Sequence, residues 1–102
     1  MEQLTMWDLS FSRDACRGHR IAITGTLPIT RNEMISLIET HGGTYDASVT
    51  RTTDILILGT LRPTAAIPDG ISRKLRRARQ IQTAGGEIMI LTLDEFQRMM
   101  EE

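Results

Sequence analysis

Apolar residues in this chain follow two kinds of pattern. In some segments they form short, nearly uninterrupted runs, and in others they recur every three to four positions, as on one face of a helix. The runs at residues 20–24 and 54–58 predict strands that are buried on both faces, as in a parallel sheet. Shorter runs predict further strands over residues 44–47 and 87–91.

The helical pattern predicts three helices, over residues 31–41, from 71 or 72 to 84, and from 92 or 93 to 100. Thr30 occupies an N-cap position with Glu33 three residues later, which is the spacing of a capping box. The first two helices are each followed by a glycine pair, Gly42-Gly43 and Gly85-Gly86, which is typical of a helix C-terminus. Residues 60–70 contain two prolines and a glycine and are predicted to form a loop.

These elements follow one another in the order β-α-β-β-α-β-α. We expect an α/β fold, a three-layer sandwich with a four-stranded, mainly parallel central sheet. Residues 1–17 have weak periodicity, and the pattern fits either a linker or an N-terminal arm with a short helix. The predicted domain therefore covers residues 18–102.

Composition supports one ordinary globular domain. The chain has 102 residues, of which 40% are hydrophobic, enough for a single modest core. Its only cysteine, Cys16, excludes an internal disulfide and fits a reducing compartment. No run approaches the roughly 18 to 20 apolar residues of a membrane span, and the first residues lack the basic start of a signal peptide. We expect a cytoplasmic protein, associated with the nucleoid in a bacterium or nuclear in a eukaryote.

The net charge of −1 conceals a strongly basic second helix. Residues 72–82 contain no acidic residue and five basic ones, namely Arg73, Lys74, Arg76, Arg77 and Arg79. This distribution fits a nucleic-acid binder with a local footprint, and it argues against a protein that coats DNA over its whole surface. The alternative is that the arginines form an ordinary solvated face.

The end of the first predicted strand combines features of an anion site. Thr24 and Gly25 end the strand, and the predicted helix that begins after Thr30 directs its free N–H groups back towards them. Unpaired amides and the helix dipole both favour a negative charge at such a position.

The chain resembles the BRCT domain (breast-cancer-protein C-terminal domain) over roughly residues 16–100, because several sequence segments occur in the same order as in that family. The likeness is to the subgroup found in bacterial NAD-dependent DNA ligases and in the large subunit of the clamp loader, replication factor C. The segments are residues 18–27 (GHRIAITGTL), 31–34 (RNEM), 42–43 (GG), 49–59 (VTRTTDILILG), 72–78 (SRKLRRA) and 93–96 (LDEF). Two features depart from the common family pattern. Many members have a tryptophan in the last helix, whereas this chain has Phe96, and phenylalanine is usual there in the ligase-like subgroup. The turn between Thr24 and Arg31 is also shorter than in ligase relatives.

The resemblance implies a phosphate pocket made by Thr24, Gly25, Arg31 and Lys74. Helical phase provides a separate observation, because Ile35 and Ile38 lie within about 40° of Arg31 around the first helix. Lys74 likewise falls within the apolar stripe of the second helix, whereas its four arginines fall outside that stripe. A charge on an inward face is costly without a partner. The alternative is that both cations snorkel to solvent or pair with local carboxylates.

The resemblance further implies a non-catalytic binding module whose partner is DNA with a 5′-phosphorylated end or nick, in replication or repair. Arg73, Arg76, Arg77, Arg79 and, more weakly, Arg51 are the candidates for contacts to the flanking DNA backbone. Two alternatives stay open: a module that binds a phosphopeptide or another protein, and the C-terminal tail of a DNA ligase or exonuclease. Neither the cysteine nor the histidines have the spacing of a metal site, and no glycine-rich dinucleotide motif is present. We therefore expect no catalytic residue, metal or cofactor.

Overall fold

The computed structural model describes residues 15–61 and 71–100, which form a four-stranded sheet and three helices. The elements in chain order are β1 (Arg20–Thr24), α1 (Arg31–Thr40), β2 (Thr44–Tyr45), β3 (Ile55–Leu58), α2 (Arg73–Thr83), β4 (Met89–Thr92) and α3 (Leu93–Met100). The strands are arranged in the order β2-β1-β3-β4, and every pairing is parallel. The predicted α/β class is confirmed, with a sheet that is parallel throughout. Residues 1–14 of the predicted arm and 62–70 of the predicted loop lie outside the described residues.

The central strands are apolar on both faces because helices cover both sides of the sheet. On one face, Ile23 and Ile57 pack with the buried side chains of α1 and α3, among them the fully buried Phe96. On the other face, Ala22 and Leu56 pack against α2. This arrangement confirms the interpretation of the two apolar runs as strands that are covered on both faces.

Side-chain and backbone caps fix the helix ends. The Thr30 hydroxyl accepts from the Glu33 N–H at 3.1 Å, and the Glu33 carboxylate accepts from the Thr30 N–H at 3.2 Å, so the predicted capping box is present. At their C-termini, α1 and α2 end with the same glycine motif, in which Gly43 donates its N–H to Ile38 and Gly86 donates to Ile81. The two helices end one residue before the predicted positions, at Thr40 and Thr83, because His41 and Ala84 are the C-caps. α2 also begins at Arg73, one or two residues later than predicted, because Ser72 is its N-cap.

Three strands are shorter or displaced relative to the prediction. β3 begins at Ile55, one residue later than predicted. β2 was expected over residues 44–47 but ends at Tyr45, although the Asp46 N–H still donates to the Ile21 oxygen at 2.8 Å. The buried Asp46 carboxylate accepts from the Arg20 guanidinium and the Thr53 hydroxyl, each at 2.7 Å. β4 was expected over residues 87–91 but covers Met89–Thr92. The residues before β4 belong to the C-terminal cap of α2, in which Gly86 donates to Ile81. The Gln82 side-chain amide also donates to the Ile88 carbonyl at 2.8 Å.

The topology places the N-termini of α1 and α2, and that of α3, which begins directly after β4, at the carboxyl end of the sheet. The chain runs from β1 through α1 outward to β2, and from β3 through α2 outward to β4, on opposite faces. The adjacent strands β1 and β3 are therefore the point at which the strand order reverses. In parallel α/β sheets, ligands bind outside the carboxyl ends of the strands at this position.

Candidate functional site

The carbonyl of Ile23, near the carboxyl end of β1, is the centre of the candidate site. Because β2 ends at Tyr45, which pairs with Ile21, β1 has no strand partner on that side at Ile23. The Ile23 oxygen instead accepts from the Lys74 ammonium at 2.8 Å and from Arg31 Nη1 at 3.2 Å. Arg31 Nη2 also lies 3.4 Å from the Gly25 oxygen. The structure therefore brings the two predicted cations together.

The electrostatics of this cation pair favour a bound anion. Burial, and to a smaller extent the neighbouring Arg31 guanidinium, lower the pKa of the Lys74 ammonium below its ordinary value. Within the described residues, neither Arg31 nor Lys74 has a carboxylate within 4.0 Å. Lys74 is partly buried and Arg31 is exposed, so carbonyl dipoles stabilise the Lys74 ammonium, and solvent also reaches the Arg31 guanidinium. Pairing of these cations with local carboxylates does not occur among the described residues.

Thr24 follows Ile23 at the carboxyl end of β1 and contacts the N-cap of α2. Its side chain is only 4% exposed, and its hydroxyl oxygen lies 2.5 Å from the Ser72 hydroxyl oxygen. Ser72 is the N-cap of α2 and accepts from the Leu75 N–H at 3.2 Å. Where Ser72 donates its proton to Thr24, the Thr24 O–H is available to a ligand. Sequence reasoning missed Ser72 as a site residue, although its position before a helix was a usable N-cap signal.

Gly25 is required for the turn that leaves β1. Its φ is +83°, and a Cβ at this position would lie 2.8 Å from the Gly59 carbonyl carbon. The chains approach this closely because Thr26 and Thr60 exchange two backbone hydrogen bonds of 2.9 Å, just beyond the paired ends of β1 and β3. Glycine at position 25 therefore allows the chain after β1 to hydrogen-bond to the chain after β3, next to the two cations.

A concavity of about 440 Å³ opens at the carboxyl end of β1. It is lined by Ile23, Gly25, Thr26, Leu27, Pro28, Ile29, Thr30 and Arg31. Gly25 and Arg31 line this concavity, whereas Thr24 and Lys74 do not. Lys74 is joined to its wall by the bond to the Ile23 oxygen. The four residues predicted for the pocket are together at the carboxyl end of β1, with Thr24 as the most buried of them. We call this group, with its concavity, the cation-pair site.

The arginines predicted to contact the DNA backbone lie on a different surface. Arg73, Arg76, Arg77 and Arg79 are all exposed on α2, as their helical phase predicted. Arg51, also exposed, precedes β3 and lines a second concavity together with Arg77. The structure therefore joins Arg51 to the surface of α2.

Other reactive side chains in the described residues serve the fold. Cys16 is fully buried, and burial raises the pKa of its thiol to about 11, so the nucleophilic thiolate is disfavoured. His41 caps α1, with its Nδ1 atom 2.8 Å from the Leu37 oxygen. Residues 15–61 and 71–100 contain no group of three or more His, Cys, Asp or Glu side chains that could hold a metal ion. In the same ranges no helix is long and apolar enough to span a membrane.

Comparison with known proteins decides the family. The sequence profile of the BRCA1 C Terminus (BRCT) domain matches residues 11–80. The chain belongs to the BRCT family. The BRCT fold is also found in the structure of Rad4 BRCT1,2 in complex with a Mdb1 phosphopeptide, which matches with a TM-score of 0.63 at 20% sequence identity. That match covers 84% of this chain and 40% of the other.

Curated relatives of this BRCT domain are DNA ligases. The ligase of Rubrobacter xylanophilus is 42% identical over 64 residues, which cover 63% of this chain and 8% of the enzyme. The ligase of Thermodesulfovibrio yellowstonii is 32% identical over 85 residues, which cover 83% of this chain and 11% of the enzyme. The resemblance to the ligase-like BRCT subgroup is therefore confirmed, and the chain spans only a small part of the ligases that it matches.

Proposed function

We propose that this BRCT domain is a non-catalytic module that binds a phosphate group at the cation-pair site. The Thr24 hydroxyl and the Gly25 N–H would donate hydrogen bonds to the phosphate, while Arg31 and Lys74 would neutralise its charge. The observation that carries the proposal is the convergence of Arg31 and Lys74 on the Ile23 oxygen without a carboxylate among the described residues. A bound anion would offset the repulsion between the two cations.

The preferred ligand is a 5′-phosphorylated DNA end or nick in replication or repair. A terminal phosphate carries about −1.5 to −2 charges near neutral pH, whereas each internal phosphodiester carries one, so a pair of cations suits the terminal group better. The similarity to DNA ligases and the resemblance to the clamp-loader subunit support DNA as the partner. The exposed arginines of α2 and Arg51 would contact the flanking backbone, and such contacts carry no base-sequence readout.

A phosphopeptide is the competing partner, since a phosphoserine or phosphothreonine offers the same terminal phosphate. The structural neighbour named above was solved with a phosphopeptide, but a likeness at 20% identity supports the fold alone. The DNA proposal has the additional support of the basic face of α2, which suits a ligand with many negative charges.

A fluorescence-anisotropy titration tests the proposal with one duplex that carries or lacks a 5′-phosphate, at fixed moderate salt. The phosphorylated form should bind more tightly, and Arg31→Ala and Lys74→Ala should each remove most of that difference. Arg98→Ala is the matched control, because Arg98 is an exposed cation on α3 outside the cation-pair site. Equal binding of both duplexes by the parent protein would contradict end recognition. Binding of a labelled phosphopeptide, together with no preference for the 5′-phosphorylated duplex, would favour the competing partner.

A further inference from the structure

A second concavity lies on the α2 face of the sheet. It has a volume of about 380 Å³ and extends from the loop before β3 to the C-terminal half of α2. Its lining residues, which differ entirely from those of the first concavity, are Arg51, Arg77, Gln80, Ile81, Ala84, Gly85 and Gly86. We call it the α2 groove. Ile81, which is buried, belongs to the core cluster on this face, and the other lining residues are exposed.

The charges that line the α2 groove are all positive. Within the described residues, neither Arg51 nor Arg77 has a carboxylate within 4.0 Å. Gln80 adds an amide that can donate two further hydrogen bonds. Two guanidinium groups and an amide around one concavity match the oxygens of a phosphate.

The C-terminus of α2 opposes this attraction only weakly. A helix C-terminus contributes about half a negative charge, less than the two positive charges of the arginines. Two of the last carbonyls are also occupied, since Gly85 donates to Gln82 at 3.0 Å and Gly86 donates to Ile81 at 2.8 Å. The groove therefore keeps a net attraction for anions.

The α2 groove lies at a suitable spacing from the cation-pair site. Lys74 and Arg77 are three residues apart, about 4.5 Å along the helix axis, and Lys74 and Ala84 are separated by about 15 Å. A nucleic-acid strand advances about 3.4 Å per nucleotide in a duplex, so a few nucleotides cover this length. Arg73 and Arg79 are exposed on the same helix, which extends the positive surface beside this path.

We propose that the α2 groove is a second phosphate site, which holds an internal phosphodiester of the DNA strand whose terminal phosphate occupies the cation-pair site. The identity of this strand rests on the proposed function, whereas the groove itself rests on Arg51, Arg77 and Gln80. The groove distinguishes two kinds of backbone contact: Arg77 acts together with Arg51 on one phosphate, whereas Arg73 and Arg79, which do not line the groove, contact the backbone independently of Arg51.

A double-mutant cycle on the unphosphorylated duplex tests this division, because that duplex has internal phosphodiesters only. Arg51→Gln and Arg77→Gln should each weaken binding by about tenfold, and the double variant should be little weaker than either single variant. The control cycle pairs Arg51→Gln with Arg79→Gln, an exposed arginine of the same helix that does not line the groove, and it should be additive. The salt slope of binding should fall by about one for the Arg51–Arg77 pair as a whole. Additive effects of Arg51 and Arg77 would overturn the proposal.

An NMR titration with a short oligothymidylate that lacks a terminal phosphate provides a readout independent of end recognition. The side-chain Nε–H signals of Arg51 and Arg77 and the amide signals of Gln80 should shift, and Arg51→Gln should suppress the shift at Arg77. Shifts confined to other residues, or no shift at a high oligothymidylate concentration, would overturn the proposal that the α2 groove binds a phosphate. If the groove signals shift but the 5′-phosphate has no effect on duplex binding, the end-recognition proposal fails and the groove stands as a backbone site.

Discussion

Arg31 and Lys74 donate to the same carbonyl oxygen, that of Ile23, from helices on opposite faces of the sheet. Their N–H···O distances are 3.2 and 2.8 Å. The oxygen is available to them because β2 is too short to pair with β1 at this level. The candidate site therefore depends on the length of an edge strand as well as on the two cations.

The titration of Lys74 provides a first prediction. Lys74 is the only lysine of the chain, so selective labelling at Cε gives a single side-chain signal. Its pKa should lie below the ordinary lysine value, because burial and Arg31 both disfavour the ammonium form. Arg31→Ala should raise this pKa by removing the second cause, and inorganic phosphate should raise it by stabilising the charge. A parent pKa at or above the ordinary value would contradict the described environment of Lys74.

A second prediction concerns stability and its pH dependence. Because the pKa of Lys74 is lower in the folded than in the unfolded state, the charged ammonium costs the fold stability at neutral pH. This cost declines as pH rises through the folded-state pKa and vanishes above the unfolded value. Lys74→Met should therefore raise Tm at neutral pH, with a gain that narrows in alkaline solution, while phosphate binding is lost.

Thermal unfolding monitored by circular dichroism at several pH values measures the effect of Lys74→Met. Arg98→Met is the matched control, since Arg98 is exposed on α3 and its replacement should shift Tm little at any pH. A Tm for Lys74→Met well below that of the parent would mean that the bond to Ile23 stabilises the fold more than the buried charge destabilises it.

Local signals in the sequence were sufficient for most of the fold. Thr30 and Glu33 marked the start of α1, the glycine pairs marked the ends of α1 and α2, and the apolar runs marked β1 and β3. Helical phase placed Lys74 on the inward side of α2, where it is partly buried. It placed Arg31 on the inward side of α1 as well, but Arg31 is exposed, although its guanidinium donates to the Ile23 and Gly25 oxygens. These features depend on residues a few positions apart, which a linear pattern records.

Contacts between distant residues could not be predicted in this way. Asp46, at the early end of β2, pairs with Arg20, 26 residues away in the chain. This early end leaves the Ile23 carbonyl without a strand partner on that side. The contact between the Asp54 carboxylate and the His19 imidazole, before β3, is a second such pair. The hydroxyl pair of Thr24 and Ser72 is also a long-range contact, separated by 48 residues. The sequence therefore predicted that Arg31 and Lys74 lie close together, but it did not predict the polar contacts around them.

A third prediction concerns the turn after β1. Gly25→Ala should reduce the free energy of unfolding by about 3 kcal/mol, because the left-handed backbone costs about 1–2 kcal/mol and the new Cβ would also meet the Gly59 backbone. Gly18→Ala is a matched control, since Gly18 has a similar φ of +82° and a Cβ added there would have no heavy atom within 4 Å. Chemical denaturation of both variants separates the two contributions, and equal losses would show that the close approach to Gly59 costs nothing.

The hydroxyl pair of Thr24 and Ser72 yields a final prediction about their separate roles. Thr24→Val removes a buried hydrogen bond and should cost about 1 kcal/mol of folding free energy. Ser72→Ala removes the same bond and the cap of α2, and should cost about 2 kcal/mol. Because the variants share one bond, their combined loss should be about 1 kcal/mol smaller than the sum of the single losses.

Phosphate binding should respond differently to the same two substitutions. Ser72→Ala leaves the Thr24 hydroxyl free to donate to the ligand, so the preference for the 5′-phosphorylated duplex should persist. Thr24→Val removes the donor itself and should reduce that preference by about tenfold, as expected for one hydrogen bond to a charged group. Anisotropy titrations with both duplexes measure the preference directly. If both variants lose it equally, Thr24 acts through Ser72 on the position of α2 and Lys74, and it does not contact the phosphate.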